Sequence, residues 1–286
     1  MRTARSVVLS VVLGATVLVA VLGGCAPAPA VPGPAPSSSP AVATSEFNTA
    51  GPAVAPPTAA TPAPAGPQAP APIVLLDPGH NGRNSQDPAA INRPVPDGRG
   101  GTKPCNSTGT ATNAGYSEHA FNFDVATRVQ QKLVAAGVRV VMTRPDDNGV
   151  GPCVDVRGRA GAQTGAAVAV SIHADGSAAG NSGFHVAYSD PPLNAMQAGP
   201  AHTLSTAVRD AIRAGGFRVS DYIGRDGLSP RTDLAGLSLA TVPTVLVECA
   251  NMRNAAEAAL VSSTQGRERY ADAIAAGILA FLKTRG

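Results

Sequence analysis

Basic runs and aromatic side chains are both scarce in this chain. Its 22 Lys and Arg residues form no dense cluster, aromatics make up 3% of the 286 residues, and charged residues only 14%. A nucleic-acid surface needs a basic stripe and stacking rings, so the composition argues against that class. The net charge of +3 suits an acidic polymer outside the cell, and equally suits many exported proteins. Cysteine is also sparse: Cys25, Cys105, Cys153 and Cys249, with no C-x-x-C pair, which argues against a zinc site built from cysteines. The chain has no internal repeat.

What is present begins at the N-terminus. Met1 to Cys25 has the three parts of a bacterial export signal: Arg2 and Arg5, an apolar core of about 17 residues from Ser6 to Leu22, and the ending LGGC. That ending resembles a lipobox, in which the cysteine becomes the lipidated first residue. Cys25 would then tether the protein to the outer face of the cytoplasmic membrane. A plain transmembrane helix and ordinary cleavage with secretion are the alternatives. Residues 26–72 are Pro, Ala, Ser and Thr, with Glu46 and Phe47 almost the only large or charged side chains. Such a segment buries too little apolar area to offset its ordering entropy, so an extended linker is expected. The folded part is residues 73–286, enough for one α/β domain. Cys105 and Cys153 lie in Gly/Pro/Asn-rich loops of an exported chain, where thiols oxidise. A Cys105–Cys153 disulfide is expected, worth about 4 kcal/mol in the chain-entropy model. Cys249, in an apolar strand, reads as a buried free thiol.

The domain opens with IVLLDPGHNG. Ile73 to Leu76 lack polar alternation and read as a strand buried on both faces. Asp77-Pro78-Gly79 is turn chemistry, with positive φ expected at Gly79 and Asp77 expected to cap the turn. His80 follows, at the strand end where open α/β sheets keep their sites. A long polar loop, Asn81 to about Tyr116, leads to a helix with Phe121, Val125, Val129 and Leu133 on one stripe, Ser117 as N-cap and Gly137 as C′. Val138 to Thr143 reads as a strand and the region from Arg157 to Gly165 as a helix. Ala166 to Ile172 is a second apolar run ending on a histidine, His173. Phe184 to Tyr188 is a further strand, Thr203 to Ala214 a helix, Thr244 to Val247 a strand ending on Glu248, and Gly266 to Lys283 the last helix. Strands alternating with helices predict an α/β sandwich, a mostly parallel sheet covered on both faces.

Three buried strands thus end on His80, His173 and Glu248, and Glu118 stands in the first turn of the helix after the long loop. Two histidines and one glutamate with a fourth position open make a catalytic zinc set, and a second glutamate would be the general base. Singly, each has a plainer role: Glu118 complements a helix dipole, and the histidines are hydrogen-bonded turn residues. Glu248 after VPTVLV would be costly to bury without a partner or role. His119 points about 100° away from Glu118 and cannot share its metal. His185 reads as packed or flanking the cleft, and His202 as exposed before a helix.

The order IVLLDPGHNG, Glu118 opening a helix that runs to GVRVVMTR, then SIHAD, then VPTVLVECANMRN resembles the zinc-dependent N-acetylmuramoyl-L-alanine amidases of the amidase-3 type. The stretch RPVPDGRGGTKPCNSTGT and the turn Asp147 to Cys153 further resemble mycobacterial members without a wall-binding domain. The resemblance implies a six-stranded mixed sheet between helices, one Zn²⁺ per chain held by His80, Glu118 and His173, and Glu248 as the catalytic residue. It implies hydrolysis of the amide between N-acetylmuramic acid and L-alanine in peptidoglycan or muropeptides. A zinc peptidase cutting within the stem peptide and an inactive peptidoglycan-binding lipoprotein are the alternatives. Arg144, Arg157 and Arg231 are candidates for contacting acidic stem peptides, with structural pairing to nearby carboxylates as their plainer role. Asn81, Asp175 and the pair Ala250-Asn251 depart from the residues common in the family, which bears on substrate fit. No autoinhibitory helix is evident. A monomer with constitutive, modest activity, better on soluble muropeptides than on intact wall, is expected.

Overall fold

The apolar runs at 73, 168 and 244 become neighbouring strands of one sheet. The computed structural model describes residues 70–285; the expected export signal with Cys25, and the expected linker up to residue 69, lie outside the described residues. The chain runs β1 (Ile73–Pro78), α1 (Pro88–Asn92), β2 (Pro94–Pro96), β3 (Thr102–Pro104), α2 (Glu118–Ala135), β4 (Arg139–Met142), α3 (Val154–Gln163) and β5 (Val168–Asp175). It continues through β6 (His185–Ser189), α4 (Ala195–Ala198), α5 (Pro200–Ala214), β7 (Leu228–Arg231), α6 (Ala235–Ser238), β8 (Thr244–Asn251), α7 (Ala255–Ser262) and α8 (Thr264–Lys283). The main sheet has six strands in the order β4-β1-β5-β8-β6-β7. Only the β6–β8 pair is antiparallel. This is the mostly parallel, mixed six-stranded α/β domain expected.

The two faces of the sheet differ in thickness. Val74, Leu76, Val168, Val170, Ile172, Val245 and Val247 point to one face and join a single large core with the expected α2 stripe. Leu204, Val208 and Ile212 of α5 and Tyr270, Ile274 and Ile278 of α8 complete it. The opposite face carries only a small apolar patch, Leu75, Ala166 and Ala169, covered by α3 and α6. That thin side leaves room for a cleft. No helix among the described residues is long and apolar enough to cross a membrane.

Several local expectations are corrected. The loop from Asn81 to Tyr116 contains a 3₁₀ turn, α1 and the antiparallel β2–β3 hairpin. Three-residue strands are too short to show a period, so the sequence could not announce them. Arg99 at the hairpin tip donates to Ser189 Oγ, Pro191 O and Ser238 Oγ, carrying the hairpin across the thin face. The buried Cys105–Cys153 disulfide, spanning 48 residues, ties the hairpin's end to the start of α3, and Cys249 is a buried free thiol. Ser117 is the residue before α2 but makes no side-chain cap; the Glu118 N–H donates instead to Thr110 O at 2.9 Å. β8 runs on past Glu248, and His202 lies inside α5 rather than before it.

Asp77 does not cap its own turn. Its Oδ1 accepts from Arg157 Nη1 and Thr143 Oγ1, both at 2.6 Å, and its Oδ2 from Ser171 Oγ at 2.7 Å. One carboxylate therefore ties β1 to α3, β5 and the end of β4. Burial pushes its pKa up, but the Arg157 guanidinium and the two hydroxyls outweigh that and hold it at about 2. The tie contributes about 2 kcal/mol above the ordinary carboxylate pKa, and that contribution disappears as pH falls through 2. Asp77→Asn is expected to lower the urea midpoint at pH 7, with the gap to wild type shrinking between pH 4 and pH 2. A gap that stays constant over that range would count against the account.

Candidate active site

His80, Glu118, His173 and Glu248 meet at the carboxyl-terminal ends of three adjacent parallel strands. Parallel pairing puts those ends on one edge, as the strand order requires. β5 and β8 are in register at His173 and Glu248, and β6 places His185 opposite Glu248 on the other side. Glu118 arrives from the first turn of α2.

The turn after β1 is tight for a reason the sequence did not reveal. Positive φ was expected at Gly79 but occurs at His80, with φ of 58°. Gly79 is required by space: a Cβ there would stand 2.0 Å from Cε1 of His173. A left-handed histidine is uncommon and marks a position held by its surroundings. Here Arg157 Nη2 donates to His80 O at 2.7 Å, and His80 Nδ1 lies 3.1 Å from Ser107 O.

That second contact assigns the tautomer. Nδ1–H donates to the Ser107 carbonyl, leaving the Nε2 lone pair facing the centre. Nε2 lies 3.1 Å from Glu118 Oε1, and His173 Nδ1 lies 2.9 Å from the same oxygen. Ligand atoms of the three residues all fall within 4.8 Å of one another, so they could hold a metal ion. Glu118 is 5% exposed, and its Oε2 accepts the Thr110 N–H at 2.8 Å. Asn122, one turn along α2, donates to Gly79 O at 3.2 Å and approaches Glu118 Oε1 at 3.4 Å.

The two glutamates occupy opposite environments. Burial disfavours the Glu118 anion, but the two histidines outweigh it and hold its carboxyl far below the usual range. Glu248 is pushed well above that range, by burial first and then by the charges of Glu118 and Asp175, with Arg231 opposing. Its Oε2 is buried without a hydrogen-bond partner. His185 is packed, its ring edge-on to Tyr222, and burial pulls its pKa to about 4, so it is neutral at pH 7.

The four residues line a cleft of about 770 Å³ on the thin face of the sheet. Ser107, Gly109 and Thr110 of the long loop form part of its wall, so the disulfide-pinned loop borders the cleft. A family model for N-acetylmuramoyl-L-alanine amidase matches residues 74–280, essentially the whole domain. The chain belongs to this amidase family. It is 49% identical to the amidase Rv3717 of Mycobacterium tuberculosis over 214 residues, covering 75% of this chain and 88% of that protein. The crystal structure of the amidase Ami1 from Mycobacterium smegmatis superposes with a TM-score of 0.73 at 51% identity, covering 76% of this chain and all of that one. An amidase from Clostridium difficile 630, at 22% identity and a TM-score of 0.59, shares the fold.

Of the three places expected to depart from the family pattern, two hold residues with structural contacts. Buried Asn81 donates to Gly151 O and accepts from the N–H groups of Gly82 and Gly149, joining the His80 turn to the segment before α3. Asn251, also buried, donates to Ala178 O and Asn181 O and so pins the β5–β6 loop. Asp175 alone lines the cleft, where it accepts the Tyr222 hydroxyl at 2.8 Å. Arg144 is 1% exposed and donates to backbone carbonyls and Asp147, Arg157 is committed to Asp77, and Arg231 to Asp233. Each thus takes its plainer, structural role. Sequence reading missed Ser107, Thr110 and Asn122. Asn122 was legible as a polar residue one turn from Glu118; the other two act through backbone atoms and leave no residue-type signal.

Gly79→Ala is expected to fold, displace the His173 ring and weaken metal affinity by about tenfold or more, read by titration with a competing chelator. Wild-type affinity would show that the ring has room to spare.

Proposed function

We propose that the protein hydrolyses the amide joining the lactyl group of N-acetylmuramic acid to L-alanine of the peptidoglycan stem, with one zinc ion held by His80, Glu118 and His173. The observation that carries this is the juxtaposition of two histidines around one glutamate oxygen with a second, unpaired glutamate beside them. The donor set suits zinc: two imidazole nitrogens and a carboxylate, with a position left open for substrate. Zinc, when bound, supplies a Lewis acid for the carbonyl and lowers the pKa of water at neutral pH.

The chain's own residues do the rest. Ser107 O and the Thr110 N–H orient His80 and Glu118, so that the ligands are set before substrate arrives. Glu248 Oε2 takes the proton of the attacking water and passes it to the leaving alanine nitrogen. Its buried Oε2 has no hydrogen-bond donor, which supports that role by leaving the oxygen free to accept.

We further infer that Met1 to Cys25 directs export, that Cys25 is the lipidated anchor, that residues 26–72 are the linker and 73–286 the catalytic domain, and that the domain acts as a monomer. The LGGC ending supports the anchor. Expressed in full length, the protein is expected to incorporate labelled fatty acid and to partition with membranes, and Cys25→Ser to lose both; label retained in the variant would exclude anchoring at this cysteine.

The catalytic reading is tested by incubating zinc-loaded residues 73–286 with muramoyl dipeptide and resolving the products by mass spectrometry. Free dipeptide is expected from the wild type. Glu248→Ala is expected to keep its zinc and lose about 10²–10⁴-fold in kcat. Cleavage inside the peptide would identify a peptidase, and zinc binding without cleavage a binding protein.

A further inference from the structure

Asp77, Glu118, Asp175 and Glu248 all line the cleft. A substrate carrying carboxylates would be recognised by a cation that these groups have not already engaged. Three basic residues line the same cleft: Lys103, Arg157 and Arg253. Arg157 is spent on Asp77 Oδ1 and on the carbonyls of Pro78, His80, Gly151 and Pro152. The Lys103 ammonium donates to Asp233 O at 2.5 Å, beside the Asp233 carboxylate. Arg253 differs. It is exposed, lies two residues past β8, and has no carboxylate partner among the described residues; its Nη1 donates to Asn113 Oδ1 at 2.9 Å.

That single neutral contact aims the guanidinium without consuming it. Its backbone is fixed as well, because the Arg253 N–H donates to Oδ1 of buried Asn251 at 3.0 Å. The result is a pre-set fork of N–H donors at the cleft rim, with most of its hydrogen-bonding capacity unused.

The chemistry of the substrate decides what meets it. In a muramoyl peptide the lactyl carboxyl of the sugar half is consumed in the scissile amide, so that half is uncharged. Carboxylates belong to the peptide half alone. We propose that Arg253 is the specificity-determining residue that takes a carboxylate of the residue following L-alanine. The peptide half then lies toward the Arg253 rim, and the sugar half toward the opposite wing of the cleft beneath the β2–β3 hairpin. This assignment rests on the amidase reading above and adds to it both a charge requirement and a direction.

Two probes separate the possibilities: N-acetylmuramoyl-L-alanyl-D-glutamate, and the same molecule with both glutamate carboxyls converted to carboxamides. The wild type is expected to prefer the acid by about five- to tenfold in kcat/KM, the scale of one charge-assisted pair at a partly exposed rim. Arg253→Gln should raise KM for the acid by that factor, leave kcat within about twofold, and leave the diamide unchanged. Arg253→Lys should keep part of the preference, and Arg253→Glu should reverse it. Equal losses on both probes would make Arg253 a structural residue and overturn the proposal, as would a wild type indifferent to the charge. Cleavage of neither probe by the wild type would overturn the amidase reading itself.

Discussion

The parallel pairing of β5 with β8 puts His173 opposite Glu248, and the pairing of β1 with β5 brings the Gly79–His80 turn to the same edge. Side chains alternate along a strand, so the register decides which face each residue serves. A slip of one residue would move His173 and Glu248 into the helix-covered core and bring Ile172 and Val247 to the cleft. The register is held by the apolar residues themselves, because Val170, Ile172, Val245 and Val247 all have to reach the same core. The geometry of the candidate site is thereby secured by hydrophobic burial on the opposite side of the sheet.

The unequal faces divide the labour. Three long helices cover one side and supply most of the buried apolar surface. The other side is roofed by short elements, α3 and α6, and by a hairpin that would have little stability alone. That hairpin is fastened at its tip by Arg99 and at its base by the disulfide. The residues just beyond the fastening, Ser107 and Thr110, are the ones that orient His80 and Glu118. A covalent tie on the thin side thus does for His80 and Glu118 what packing does for the strands.

Much of this was legible in the residues. The three apolar runs, the α2 stripe and the four chemical residues each carried a signal of period or of cost: an acid after a buried strand, or histidines on matched strand ends. The disulfide followed from compartment and loop context. What escaped is what residue type does not encode. β7 reads LSPR, with a proline and no alternation, and is a strand because it lies at the sheet edge where a missing N–H is tolerated. Positive φ fell on His80 rather than Gly79, because contacts from Arg157 and Ser107 override the local preference, while the glycine is required for clearance against His173. Asp77 looked like a turn cap and is a tie between elements, since its partners lie far away in sequence.

The two glutamates show how one side-chain type meets two environments. Glu118 shares an oxygen with two histidines and accepts a backbone N–H on the other, so its charge is stabilised from every direction. Glu248, in register with one of those histidines, has a buried oxygen with no donor and two carboxylates for neighbours. The environment drives their proton affinities apart. The basic groups of the cleft divide in the same way: Arg157 is held by Asp77 and backbone carbonyls, whereas Arg253 is held by one neutral amide and keeps most of its donors free. As with the glutamates, the partners a side chain has already found decide what it has left to offer.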